Sequence, residues 1–444
     1  MKINLSTLFR PLAIVLCGYV ANLLVSIMMT NMMSIDHFGI VNYAVTILAI
    51  TSSFILLGTN SSSKRFLSSY LFEHNNDKTD DYVHWNLNIV YIPLKISFIL
   101  SVFLFFIVDP LELFYIGKIT NVPQVATFLL VVSPLIASTQ LVSSFLLCDD
   151  HVDSSTFLNT MGYYCLSLIG LGLYYLFFFE SHLHKANLTN ILTVMFVSNL
   201  SLFLIAIYIL KNKSPHLYKS VRTFDKNAHK PKESAKWLKN AETQLFLNIT
   251  IQIISRVDYL LLVFFSPTHA QLAIYGIASK ITSAISLIPV GLFRHLQNKI
   301  SIDITSDEKK QELQYLWNQT LKYNVAILLI LALLIQNCQP FLTSVFGPQY
   351  LPAMSIIKIK TIGFLIYSMS GTSSSLLQYS GYANYVSGGY IIKVITFIVS
   401  ALILHPLYAL EGIAYAVLIS TIFFQIYLYI CIRYYLNFKP YGIF

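Results

Sequence analysis

Apolar stretches long enough to cross a bilayer recur from one end of this 444-residue chain to the other. A crossing helix needs roughly 20 predominantly apolar residues. Twelve segments meet or approach that length: 12–31, 39–60, 87–108, 121–147, 156–179, 188–210, 242–265, 271–293, 321–336, 354–378, 387–404 and 412–431. In hydrocarbon each backbone N–H and C=O must be satisfied inside its own segment, so a chain of this pattern folds as an all-α polytopic membrane protein. The segment 321–336 is short, and its helix is expected to begin upstream. Only 11% of residues are charged and 56% are hydrophobic. A soluble domain carries about a quarter charged residues.

The Lys/Arg distribution sets the orientation. With the N-terminus inside, the cytoplasmic segments hold 20 Lys and Arg, while the outer loops hold Lys118 and Lys185 alone. That asymmetry places both ends in the cytoplasm. The net charge of +9 is therefore the signature of cytoplasmic loops, not of a nucleic-acid surface. Lys2 and Arg10 flank a first span with no small-residue cleavage site, so the sequence predicts a retained span and not a cleavable signal. Nine of the inner cations crowd into 211–241 against two acids, Asp225 and Glu233. This basic segment predicts a cytoplasmic hinge between two six-helix bundles, 1–210 and 242–444.

Two inner segments carry apolar residues among the charges. Trp237 and Leu238 are expected on the anionic inner leaflet. In 294–320, Ser306 as N-cap and Leu313, Leu316 and Trp317 on one face predict an amphipathic surface helix. The five cysteines are scattered without metal-ligand spacing, so no metal site or cofactor is expected. No P-loop, GxSxG or HExxH appears, which argues against an enzyme.

The informative residues are charges inside spans, where a lone charge costs at least about 2.5–3.5 kcal/mol and faces a wet cavity or a partner. Arg256 and Asp258 fall near the middle of the seventh span, Lys280 inside the eighth, Lys393 and Lys95 a few turns from their inner ends. Lys358 and Lys360, near an outer end, are expected to snorkel. Interior cations thus outnumber the interior acid, and such a cavity draws an anion, most naturally a phosphate or pyrophosphate. Polar residues of the first two spans, Asn22 and Asn42 among them, offer a second wall; Ser, Thr and Asn also glue helices. Pro93, Pro134 and Pro289 can bend their spans.

The halves repeat. FGIVNYAV at 38–45 parallels YGIASKIT at 275–282, and Leu146–Ser155 parallels Leu376–Tyr385. Six spans per half insert both halves in the same orientation. Residues 32–70, with a Phe-Gly-x-x-x-Tyr opening, a late Gly and then basic residues, resemble the second-span signature of Wzx-type polysaccharide flippases. Residues 256–300, VFGPQYLP at 345–352 and EGIAYAVLIS within 376–418 extend the likeness over the chain. The resemblance implies the superfamily of multidrug/oligosaccharidyl-lipid/polysaccharide (MOP) exporters: two six-helix bundles forming a V around a central cavity. It also implies movement of a polyprenyl-pyrophosphate-linked sugar unit between leaflets. The first half lacks an arginine matching Arg256.

Together these readings predict a flippase for an undecaprenyl-pyrophosphate-linked O-antigen or capsule repeat unit in a bacterial inner membrane. Arg256, Lys280, Lys393 and Lys95 are the expected pyrophosphate ligands, with Asn22 and Asn42 toward the sugars. Asp258 is the candidate for coupling to protons or sodium. The expected partners are the lipid-linked oligosaccharide, membrane lipids, the coupling ion and other polysaccharide-assembly proteins. The rival readings are a MATE-like drug/cation antiporter, which calls for more interior acids, and a polytopic O-antigen polymerase or ligase, which calls for a large external loop.

Overall fold

A computed structural model describes residues 5–107, 122–178, 186–224, 231–265, 268–303, 307–369, 373–380 and 382–439. Among these, all regular structure is helical, as the hydropathy pattern requires. Among the described residues, ten helices are long and apolar enough to cross a membrane. Two places account for ten where twelve spans are expected: one expected span is broken, and two others run on through a reversal. The stretch 242–265 is not one helix: Ser234–Ile254 stops, the chain turns at Ser255 and Arg256, and Val257–Phe265 begins anew. The stretches 387–404 and 412–431 fall within Ala383–Cys431, which is two helices joined where Ala409 leaves the helical region (φ 47°, ψ −125°); the Tyr390 and Phe424 rings stack 4.9 Å apart, so the second helix doubles back along the first. Pro406, without an N–H and in conflict with the preceding turn, favours the end of a helix here.

The chain divides into two compact units, Cys17–Ile253 and Met1–Leu16 with Ile254–Phe444. Within the first, Val122–Cys148 is the central helix, packing on Ile35–Ile55, Thr59–Phe72, Asn76–Ile107 and Leu188–Lys213. Between Ile35–Ile55 and Thr59–Phe72 the chain turns through Leu57 (φ 47°) and Gly58 (φ 75°). Glycine is required at 58 twice over: the backbone is left-handed, and a Cβ would run into the backbone of Ala241 and Leu245.

That contact belongs to a larger seam. Trp237 is buried with Tyr70, Tyr82 and Trp85, the rings lying 5.1–6.3 Å apart. Its indole N–H donates to Tyr70 Oη (3.0 Å), which donates to Glu233 (2.8 Å), and Lys78 donates to the other Glu233 oxygen (2.9 Å). Trp237 is therefore a core residue of this unit, not a leaflet anchor; Leu238 beside it is exposed. The seam fastens Ser234–Ile254 to the first unit, so the unit boundary falls at 253/254 and not at 241/242. Pro215–Arg222 packs against Asn76–Ile107 and Leu188–Lys213, with Ser220 donating to Asp80. The basic segment 211–241 is thus helical at both described ends. Residues 225–230 within it lie outside the described residues.

In the second unit, His269–Asp303 packs on Asp307–Gln336 and Ala353–Met369, and Ala353–Met369 packs on Ala383–Cys431. The second span packs on the fourth in each unit, as the internal repeat anticipates. The short ninth span begins upstream, the crossing candidate running Gln311–Gln336. Leu313 and Trp317 are buried, Trp317 between Phe293 (4.6 Å) and Phe438 (5.7 Å), so this face joins the core instead of a lipid surface. The expected N-cap Ser306 lies outside the described residues.

Candidate functional site

The broken seventh span creates the site. Asp258 sits in the first turn of Val257–Phe265, where helix amides point backward and favour negative charge. Its Oδ1 accepts the Tyr259 N–H (2.9 Å) and its Oδ2 the Tyr275 hydroxyl (2.8 Å). Lys360 completes the shell: its Nζ lies 2.9 Å from Asp258 Oδ2, 2.7 Å from Ser279 Oγ and 3.3 Å from Tyr275 Oη. The ammonium also stands 4.4 Å over the Tyr275 ring. Tyr275 and Ser279 are four apart, so they share one face of His269–Asp303. The Lys360 side chain is 4% exposed and that of Asp258 14%.

This geometry overturns the expectation that Lys360 snorkels. Lys358 and Lys360 are two residues apart, about 200° around a helix, so they cannot both face outward. Lys358 is exposed and Lys360 buried. The pair spans 102 positions, a separation that nothing in the sequence pattern signals. A residue with a long-range charged partner was there to be found only in the fact that Asp258 needs one.

The other expected residues divide. Arg256 is half-buried at the helix break, and its carbonyl accepts the first hydrogen bond of Val257–Phe265, from Leu260 (2.9 Å). Lys280 follows Ser279 on His269–Asp303 and is half-buried. Lys393, on Ala383–Cys431, lies 5.8 Å from the Tyr367 ring centre and 5.5 Å from that of Phe424. These residues thus belong to one unit. Lys95 belongs to the other, and it is exposed on a face with Ile92, Ile96, Phe98 and Ile99. Such an apolar face suits an ammonium that reaches along its stem toward the headgroups. Asn22 is half-buried, with its carbonyl accepting Ser26 Oγ (2.8 Å). Asn42 is buried, its amide nitrogen without a hydrogen-bond partner among the described residues. Both belong to the first unit, and the Asp258 cluster to the second.

A pair of helical units with membrane-length apolar helices, a discontinuous helix and buried charges defines a polytopic membrane protein. Comparison with solved structures gives the fold. An inward-facing multidrug resistance MATE family transporter of the MOP superfamily superposes with a TM-score of 0.72 at 13% identity, over 97% of this chain and 98% of that one. A lipid II flippase, MurJ, in an inward closed conformation gives 0.70 at 16% identity, over 94% and 86%. No curated protein sequence matches. The family model of polysaccharide biosynthesis proteins matches residues 10–293, well over half the chain, and the chain belongs to that family. It is a multi-pass membrane protein with the MOP exporter fold.

Proposed function

We propose that this chain is a flippase that moves an undecaprenyl-pyrophosphate-linked oligosaccharide, an O-antigen or capsule repeat unit, from the cytoplasmic to the periplasmic leaflet of the bacterial inner membrane. The observation that carries the reading is the Asp258–Lys360 pair. Lys360 answers the charge of Asp258, and Arg256, Lys280 and Lys393 are three further cations in the spans of the second unit. A pyrophosphate brings a compact multiple negative charge with several acceptor oxygens, the ligand such an interior suits. Family membership in polysaccharide biosynthesis supplies the lipid-linked glycan as the class of anion. A cation-exporting interior calls for the opposite balance, which weighs against the drug/cation antiporter.

Alternating access, powered by protons or sodium, completes the proposal, with Asp258 as the coupling group. An ion that binds Asp258 displaces Lys360 and frees its ammonium for the substrate's phosphates, so ion and substrate are linked through one ammonium. One charge crossing 100 mV releases about 2.3 kcal/mol, enough for one or two ions to bias the cycle. The test is binding of undecaprenyl pyrophosphate and undecaprenyl monophosphate to the protein in lipid nanodiscs, read by native mass spectrometry. The diphosphate binds better, and Arg256→Ala and Lys280→Ala each erase roughly tenfold of that preference, the value of one charge-assisted hydrogen bond. Equal binding of the two lipids, untouched by either substitution, refutes the reading.

A further inference from the structure

The first unit holds a cavity of about 240 Å³ that no part of the pyrophosphate site uses. Five elements converge on it. Ile35–Ile55 brings Ser53, Thr59–Phe72 brings Asn60 and Lys64, and Val122–Cys148 brings Gln140 and Ser144. The Ser155–Asn159 turn and Ser234–Ile254, with Asn248 and Gln252, close it. Asn159 sits in a π-helical turn, Phe157–Met161, a distortion that re-aims side chains and concentrates at functional sites.

We propose that this cavity is a sugar subsite for the glycan of the lipid-linked substrate; the inference rests on the function proposed above. Amide side chains each present a donor and an acceptor, as sugar hydroxyl and acetamido groups do. Five amides and three serines line the wall, with Lys64 as its one charge and no carboxylate. That composition suits neither a metal ion nor a pyrophosphate. It suits a neutral or singly acidic sugar. Leu147 and Ile251 supply apolar surface for the flat C–H faces of a ring.

Some of these amides also join helices. Asn159 donates to Ser143 (2.6 Å) and Asn248 to Ser61 (3.0 Å). Helix gluing alone leaves Gln140 unexplained: half-buried in the wall, it makes no hydrogen bond among the described residues. The volume lies below the roughly 300–1,000 Å³ of drug-sized sites, so one or two rings fit and a whole repeat unit does not. The subsite reads a terminal or lipid-proximal sugar, while the rest of the glycan remains outside.

Saturation-transfer NMR on the full-length protein in nanodiscs tests this, with free N-acetylglucosamine, galactose and glucuronate as probes at tens of millimolar. At least one sugar receives saturation from the wild type. Gln140→Leu weakens that binding about three- to tenfold, the loss of one hydrogen bond to a polar ligand, and Lys64→Met, an exposed position with little folding risk, weakens it for glucuronate. Undecaprenyl pyrophosphate binding, measured on the same samples, persists in both variants and shows that they are folded. Failure of all three sugars to bind, or binding that neither substitution diminishes, overturns the subsite. Loss of pyrophosphate recognition with sugar binding intact instead overturns the anion site of the proposed function and leaves the subsite standing.

Discussion

Lys360→Met is the most demanding perturbation of the second unit. It removes an ammonium that is 4% exposed and leaves a carboxylate that is 14% exposed. At 2.9 Å and an effective dielectric of about 20, the gross attraction between the two charges is roughly 5–6 kcal/mol. Desolvation consumes much of that while the pair is whole, but an orphaned carboxylate keeps its desolvation cost, and breaking a buried pair typically costs about 3–5 kcal/mol. Asp258 still accepts from Tyr275 and the Tyr259 N–H, which places Lys360→Met toward the lower end of that range. Asp258→Asn/Lys360→Met removes both charges and keeps an acceptor for the Tyr259 N–H. The double variant therefore regains most of the loss, with a coupling energy of about 2–3 kcal/mol. The assay is reversible SDS unfolding in mixed micelles, followed by tryptophan fluorescence, on the wild type, both single variants and the double. Additive losses, with the double variant as unstable as the sum of the singles, refute the claim that these two groups neutralise one another.

Trp237→Ala opens the aromatic seam of the first unit and costs about 3–5 kcal/mol in the same unfolding assay, as for other buried tryptophans. Gly58→Ala forces a left-handed backbone and a clash with Ala241 and Leu245; a loss of at least about 1–3 kcal/mol is expected, where an ordinary surface glycine would gain a few tenths. The hydrogen bond from Lys78, and then that from Tyr70, hold the Glu233 carboxyl below its ordinary value. A depressed carboxyl contributes stability in full above its unfolded value of about 4.3 and loses it as the pH falls through the folded value. The wild type should therefore lose slightly more stability between pH 5 and 3 than Glu233→Gln does, and parallel curves for the two would contradict the assignment.

The sequence makes the helical class and the internal repeat legible because both follow from periodic signals: apolar length, charge asymmetry and an even number of spans per half. Polar positions resist the same logic. Hydropathy treats Lys358 and Lys360 alike, although helical rotation sends one outward and the other to Asp258. Basic surroundings make Trp237 look like a membrane anchor, whereas Tyr70, Tyr82 and Trp85 come from helices far away in sequence to bury it. The break at Ser255 and Arg256 carries no proline or glycine, so the long apolar run 242–265 conceals it. Lys95, exposed, and Lys360, buried, make the same point: the face of the helix decides, and depth along the span does not reveal the face.

The central claim is transport of a pyrophosphate-linked glycan, and the direct measurement is made on lipids from a strain deleted for this gene. Mass spectrometry of the extract is combined with an external glycosidase that reports the leaflet of any lipid-linked unit. The account predicts accumulation of one complete, unpolymerised repeat unit that is shielded from the glycosidase, cleared by wild-type protein and not by Arg256→Ala or Lys280→Ala. A unit that accumulates but is cleaved from outside, or an unchanged lipid profile with normal surface glycan, contradicts it.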